Sequence, residues 1–174
     1  NYLVGDMGGA TTDISLVKSD GPVMTRGTRI GDWRTQVEGV FVDTFGLGGD
    51  SAVKMAANGI TLTSRRVEPL CMAAARWPWL ADELEKVLVP ELRHVGREVY
   101  EVLYLVREPK SLDGYDSIER GLLEELAKGP MVLGLQTYTE IFRLDGTHIT
   151  KRLEAEGVIM RAGFTPTDAM HIKG

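Results

Sequence analysis

Asp6-Met7-Gly8-Gly9-Ala10-Thr11-Thr12-Asp13 combines, in one short segment, what a phosphate group and its magnesium ion require. Adjacent glycines let backbone N–H groups approach phosphate oxygens with no Cβ in the way. Thr11 and Thr12 add hydroxyl donors, and Asp6 and Asp13 can hold magnesium through water or orient an attacking water. Two carboxylates beside a polyphosphate repel it, so the set makes chemical sense only with a divalent cation between them. The same residues also describe a tight hairpin whose glycines serve positive φ and whose Asp and Thr side chains bond their own backbone. Spacing alone leaves both readings open.

A second glycine loop follows at Thr44-Phe45-Gly46-Leu47-Gly48-Gly49-Asp50-Ser51. The chain has 20 glycines, about 11% against an average usage of roughly 7%. Those at Gly8-Gly9, Gly46 and Gly48-Gly49 sit in short loops beside hydroxyl and acidic residues, unlike a Gly/Ser linker. Other chemical residues are less organised. His94, His148 and His171 are far apart, and none stands at metal-ligand spacing with Cys71 or another His. Cys71, between Leu70 and Met72, reads as a small buried hydrophobe rather than a nucleophile. As the single cysteine it excludes an internal disulfide framework and fits a reducing compartment.

The elements that must carry these loops are legible in part. The apolar run Asn1 to Asp6 and the alternating run Thr11 to Val17 read as strands, and Gly8-Gly9 between them predicts a hairpin. Gln36 to Thr44 is a third extended run, so the first fifty residues read as a strand meander with glycine loops at its tips. Ser51 to Ala57 suggests a short helix before the apolar run Ile60 to Thr63. Pro69 to Arg76 and Trp79 to Leu88 read as helices interrupted by Pro78, and Val99 to Val106 as a strand. Ile118, Leu122, Leu123 and Leu126 form a helical stripe ending at Gly129-Pro130, with further helices expected at Leu135 to Phe142 and Ile149 to Glu156 before the strand Val158 to Met160. Three short helices and a strand give this part a winged-helix-like order, although its third helix lacks a basic recognition face; a small helical subdomain docked on the sheet is the plainer reading. Thr165-Pro166-Thr167-Asp168 is a helix start, with Thr as N-cap, Pro in the first turn and Asp facing free N–H groups.

Four segments, in order, resemble one family. Asp6 to Val17 looks like the second phosphate-binding hairpin of the actin, sugar kinase and Hsp70-type ATPase superfamily, and more narrowly like the hydantoinase A/oxoprolinase motif Asp-Met-Gly-Gly-Thr-Thr-Thr-Asp-Ile. Thr44 to Ser51 resembles that family's second glycine loop, Arg65 to Cys71 an internal segment, and Gly163 to His171 its Gly-(Phe/Leu)-Thr-Pro-Thr-Asp-Ala-x-His signature. The resemblance implies an α/β fold, an actin-like (ribonuclease H-like) ATPase lobe, divided as 1-110 for the lobe, 111-162 for the helical subdomain and 163-174 for a helix returning to the lobe. It also implies ATP-dependent opening of a cyclic amide or imide, of hydantoin or 5-oxoproline type, by phosphoryl transfer to a carbonyl oxygen.

Carried over by position, Gly8, Gly9, Thr11 and Thr12 would hold the phosphates and Asp6 would sit close to magnesium, through water. Asp13 would bond within the loop or orient water, and Gly48, Gly49, Asp50 and Ser51 would either complete the nucleotide site or only close the meander. His171 would face substrate. ATP, magnesium, a small cyclic amide and a B-type partner chain are the implied ligands and partners, and the Trp77-Pro78-Trp79 corner is a candidate docking surface. Ala10 and Asp50 depart from the family pattern, which has Thr and Gly there. No copy of the family's first Asp-x-Gly-Gly-Thr-x-Thr-Asp hairpin is present. The chain therefore reads as an internal fragment of one lobe, cut at both ends, for which weak Mg-ATP binding and no turnover are expected. The competing reading is a non-catalytic ATPase-fold module that binds a partner; a sugar-kinase relative would share the hairpin but lack Thr165 to His171.

Composition narrows the partners. A net charge of -5 argues against a general nucleic-acid or anionic-membrane surface, so any phosphate site must be local. No apolar run approaches the roughly 20 residues that cross a bilayer, and the first residues lack a signal-peptide pattern, which together predict a cytoplasmic protein.

Overall fold

The computed structural model describes residues 1–27, 29–30, 32–56, 59–87, 101–133 and 146–173. The alternation at the start of the chain folds as expected. Strand β1 (Tyr2–Met7) turns back through Gly8 to Thr11 into β2 (Thr12–Lys18), antiparallel, with Tyr2 opposite Val17 and Met7 opposite Thr12. β3 (Gly21–Pro22) pairs with the far end of β2. The chain then runs out along a narrow arm in which β4 (Met24–Arg26) pairs with β7 (Glu38–Val40) and β5 (Arg29–Ile30) with β6 (Trp33–Arg34). It returns as β8 (Val42–Phe45), which lies on β2 with Thr12 opposite Phe45. The expected single strand from Gln36 to Thr44 is thus two, parted at Phe41, whose N–H turns to Val23 O at 2.7 Å.

The expected helix over Ser51 to Ala57 is corrected: Ser51–Ala56 is strand β9, antiparallel to β10 (Gly59–Arg66). Ala52, Lys54, Met55 and Ala56 are adequate helix formers, but each ladder bond and cross-strand pair with β10 outweighs a propensity difference of a few tenths of a kcal/mol per residue. Ala57 and Asn58 lie outside the described residues. Beyond them come β11 (Glu68–Pro69), α1 (Leu70–Arg76), α2 (Leu80–Val87), β12 (Val102–Leu105), α3 (Ser117–Lys128), β13 (Met131–Val132), α4 (Gly146–Ala155), β14 (Ile159–Gly163) and α5 (Pro166–Lys173). The expected helix from Leu135 to Phe142, and His94, fall outside the described residues.

The second sheet runs β11-β14-β12-β13, with β11 parallel to β14 and the other pairs antiparallel. Its core follows from the period of two along β12. Leu103 joins Leu122, Leu123 and Leu126 of α3, Leu153 of α4 and Ile159 on one face. Val102 and Tyr104 join Ala73 of α1, Leu80 of α2 and Ala162 on the other. Each such leucine, fully buried, contributes roughly 1.5–3 kcal/mol, so these two layers supply most of the apolar stabilisation. The result is a mixed α/β architecture with helices on both faces of this sheet.

In α3 the helical stripe is present but shifted. Leu122, Leu123 and Leu126 are buried, whereas Ile118 is 43% exposed and Glu119 is buried in its place. Glu119 closes a capping box with Asp116 and accepts from Arg152 of α4 at 3.1 Å, which compensates its burial. A buried ion network likewise ties α4 to β14: Arg161 donates to Glu101 at 2.8 Å, to Glu154 at 3.0 Å and to Thr150 at 3.1 Å. Around Pro78, Trp77 packs on Tyr104 at a centroid distance of 5.1 Å, while Trp79 and Trp33 are exposed. Among the described residues no helix is long and apolar enough to cross a membrane.

Candidate phosphate-binding site

The β1–β2 register sets Asp6 directly opposite Asp13. Cross-strand Cβ atoms of such a pair lie about 4.5–5.5 Å apart, so the two carboxylates share one face and repel each other unless something positive lies between or beside them. Thr44 of β8 donates its hydroxyl to Asp13 Oδ1 at 2.7 Å, which orients that carboxylate from the neighbouring strand. At the tip, Gly8 N–H donates to Thr11 O at 2.8 Å, and the N–H groups of Gly9, Ala10 and Thr11 have no acceptor among the described residues. Those three donors lie on an exposed turn immediately beyond the carboxylate pair.

The second glycine loop is bonded into the first. Gly49 N–H donates to Gly8 O and Asp50 N–H to Gly9 O, both at 2.8 Å. Gly48 N–H is taken by Ser51 Oγ at 2.9 Å, Ser51 N–H by Gly48 O at 3.1 Å, and the Thr12 hydroxyl by Leu47 O at 2.7 Å. A Cβ on Gly48 would lie 2.5 Å from Gly9 O and 2.6 Å from Gly8 O, so only glycine admits this approach. The N–H groups of Gly49 and Asp50 are therefore spent on holding the hairpin and those of Gly48 and Ser51 on closing their own loop, whereas Gly9, Ala10 and Thr11 keep theirs free at the hairpin tip. Asp50 reaches over Gly9, where a Cβ would meet its Oδ2 at 2.6 Å, and that oxygen accepts from Arg66 Nη2 at 3.2 Å.

Helix α5 closes the arrangement from the far end of the chain. Thr167 donates both its N–H and its hydroxyl to Gly49 O, at 3.0 and 2.9 Å. Asp168 is buried and accepts four hydrogen bonds. Thr165 gives it an N–H and a hydroxyl, both at 2.8 Å, and the start of α1 gives it the N–H groups of Cys71 at 2.7 Å and Leu70 at 3.2 Å. It thus caps α5, as the Thr-Pro-Thr-Asp pattern predicts, and also α1, whose own N-cap Pro69 offers no side-chain acceptor. Burial and the Asp168 carboxylate push the half-buried Cys71 thiol above its ordinary value, against a nucleophilic role.

An open cavity of about 620 Å³ lies where these elements meet, lined by Met7, Gly8, Gly9, Gly49, Thr167 and His171 among others. Three of the four motif segments line it, and the fourth, Arg65 to Cys71, is bonded to two of them from behind. Asp50 O accepts from Val67 N–H at 3.0 Å, Arg66 holds Asp50, and Asp168 holds Leu70 and Cys71. The sequence places Arg66 and Thr167 in motif segments but assigns neither a site role, because those roles depend on partners in distant segments. Among the described residues no three His, Cys, Asp or Glu side chains cluster as a metal cage. Asp6 and Asp13 with phosphate oxygens suit magnesium, which keeps most of its water and takes one or two carboxylates.

Residues 1–82 match the family model described as hydantoinase/oxoprolinase. No curated protein matches the chain, and no solved structure matches it. The matched stretch contains the hairpin, the second glycine loop and the Arg65 to Cys71 segment; the Thr165 to His171 segment lies beyond it.

Proposed function

We propose, from the match of residues 1–82 to the hydantoinase/oxoprolinase model, that the β1–β2 hairpin tip binds the phosphate tail of ATP with magnesium, within a lobe of actin-like ATPase type. The parent protein is then a cyclic-amide hydrolase in which ATP supplies a phosphoryl group to the amide carbonyl oxygen. The observation that carries this reading is the convergence of both glycine loops and α5 on one open cavity beside an opposed carboxylate pair. The free N–H groups of Gly9, Ala10 and Thr11, with the Thr11 hydroxyl, supply donors for phosphate oxygens. Asp6 holds magnesium through water, and Asp13, oriented by Thr44, orients a water or the metal's hydration shell. Gly48, Gly49, Asp50, Ser51 and Thr12 act through the hairpin, by fixing where its tip sits. The catalysis available to such a site is positioning and charge neutralisation.

The experiment is a titration of the chain with ATP, with and without magnesium, followed by amide NMR shifts. Magnesium-dependent shifts at Gly9, Ala10 and Thr11, weaker than micromolar in affinity, lost in Asp6→Asn and Asp13→Ala and accompanied by no turnover, are the expected result. Shifts that ignore magnesium, or that miss the hairpin, would sink the reading. A non-catalytic partner-binding role for the same fold gains support from the exposed Trp33 and Trp79, and a B-type chain would be its natural occupant.

A further inference from the structure

The arm that leaves and rejoins the N-terminal sheet carries a second cavity, of about 530 Å³, lined by Arg26, Gly27, Arg34, Thr35 and Gln36. We infer that this cavity is an oxyanion subsite, separate from the hairpin tip, in which the guanidinium groups of Arg26 and Arg34 take a phosphate or carboxylate group.

Pairing sets these two residues apart in a chain of net charge -5. The other arginines with described side chains each donate to a carboxylate or a backbone carbonyl, from Arg65 on Glu154 to Arg161 on Glu101. Arg26 and Arg34 donate to none among the described residues, although Glu38 stands opposite Arg26 in the β4–β7 ladder and Asp32 is close in sequence.

The local backbone shapes the cavity. Gly27 has φ +83 and donates its N–H to Val37 O at 3.3 Å. With no Cβ there, Arg34 lies across the glycine: a Cβ would meet its Nε at 2.8 Å and its Cγ at 3.3 Å. The turn thus brings the Arg34 fork to the cavity that Arg26 enters from β4. Planar guanidinium forks bind carboxylate and phosphate oxygens in pairs of hydrogen bonds, which is the chemistry two unpaired arginines at one opening can offer. Thr35 and Gln36 add polar lining.

Inorganic phosphate and acetate, titrated separately into the full chain and read by backbone and arginine Nε–H NMR shifts, test this. Phosphate is expected to produce saturable shifts at the Gly27 amide and the Arg34 Nε–H. Arg26→Gln and Arg34→Gln are each expected to weaken binding about tenfold, the equivalent of one charge-assisted hydrogen bond. Arg34→Lys, which keeps the charge and loses the fork, separates bidentate recognition from general attraction. Saturation by phosphate alone identifies a phosphate subsite, and saturation by both anions a general oxyanion subsite. Shifts confined to Gly9, Ala10 and Thr11, or a drift at Gly27 without saturation, would overturn the inference while leaving the hairpin reading standing.

Discussion

At the scale of single residues, Asp168 carries the largest local consequence, since one buried carboxylate takes the first two N–H groups of α1 and the N–H of Thr165, the N-cap of its own helix. Asp168→Ala leaves Leu70, Cys71 and Thr165 donors without an acceptor and is expected to destabilise the fold by about 2–4 kcal/mol. Asp168→Asn keeps an acceptor oxygen and recovers part of that; denaturant midpoints of the two variants check the order. Tyr104 gives a pH dependence of known sign. Burial first, and the Glu68 carboxylate second, push its hydroxyl up to about 12, while in the unfolded chain it ionises near 10. A raised folded value means that the unfolded state releases its proton first, so stability is intact below about pH 10 and falls as pH rises from there to about 12. Stability curves across that range should lose this slope in Tyr104→Phe.

At the scale of elements, the two glycine loops predict opposite tolerances. A Cβ on Gly48 meets backbone oxygens that cannot move without parting the loops, so Gly48→Ala is expected to cost more than about 2 kcal/mol. A Cβ on Gly9 meets the end of the Asp50 side chain, which can rotate away, so Gly9→Ala should cost well under half of that. Thermal melts of both variants decide it. The same contrast explains what was legible beforehand. The β1–β2 hairpin and the α5 start are written in adjacent residues, an alternating pattern around Gly8-Gly9 and a Thr-Pro-Thr-Asp run, and both form as read. β9 departs from its local helix preference because its partner β10, rather than its own Ala and Lys residues, decides its state. Glu119 replaced Ile118 at the buried position because Arg152, far along the chain, satisfies it. The convergence of Gly49 with Thr167 leaves no local trace, since 118 positions separate them.

At the scale of the whole molecule, apolar burial is uneven. The β11-β14-β12-β13 sheet is covered by helices on both faces, whereas Tyr2, Leu3, Val4, Val42 and Phe45 of the first sheet are 44–76% exposed. Native-state hydrogen exchange should accordingly show the strongest protection on β12 and β14 and the weakest on β1. The second glycine loop that grips the hairpin, and the β9 to α1 stretch after it, are held by what reaches them from the far end of the chain. Val53 N–H bonds to Phe164 O, Gly49 O receives Thr167, β11 pairs with β14, and α1 is capped from residue 168. Residues 1–82, the stretch that matches the hydantoinase/oxoprolinase model, are therefore expected not to fold as an excised unit. Expressed alone it would lack the cap of α1, the clamp on the second loop and every β12 and β14 residue of the core. Its amide spectrum should collapse to random-coil dispersion, and the loop geometry should return when residues 101–173 are supplied as a second, complementing polypeptide.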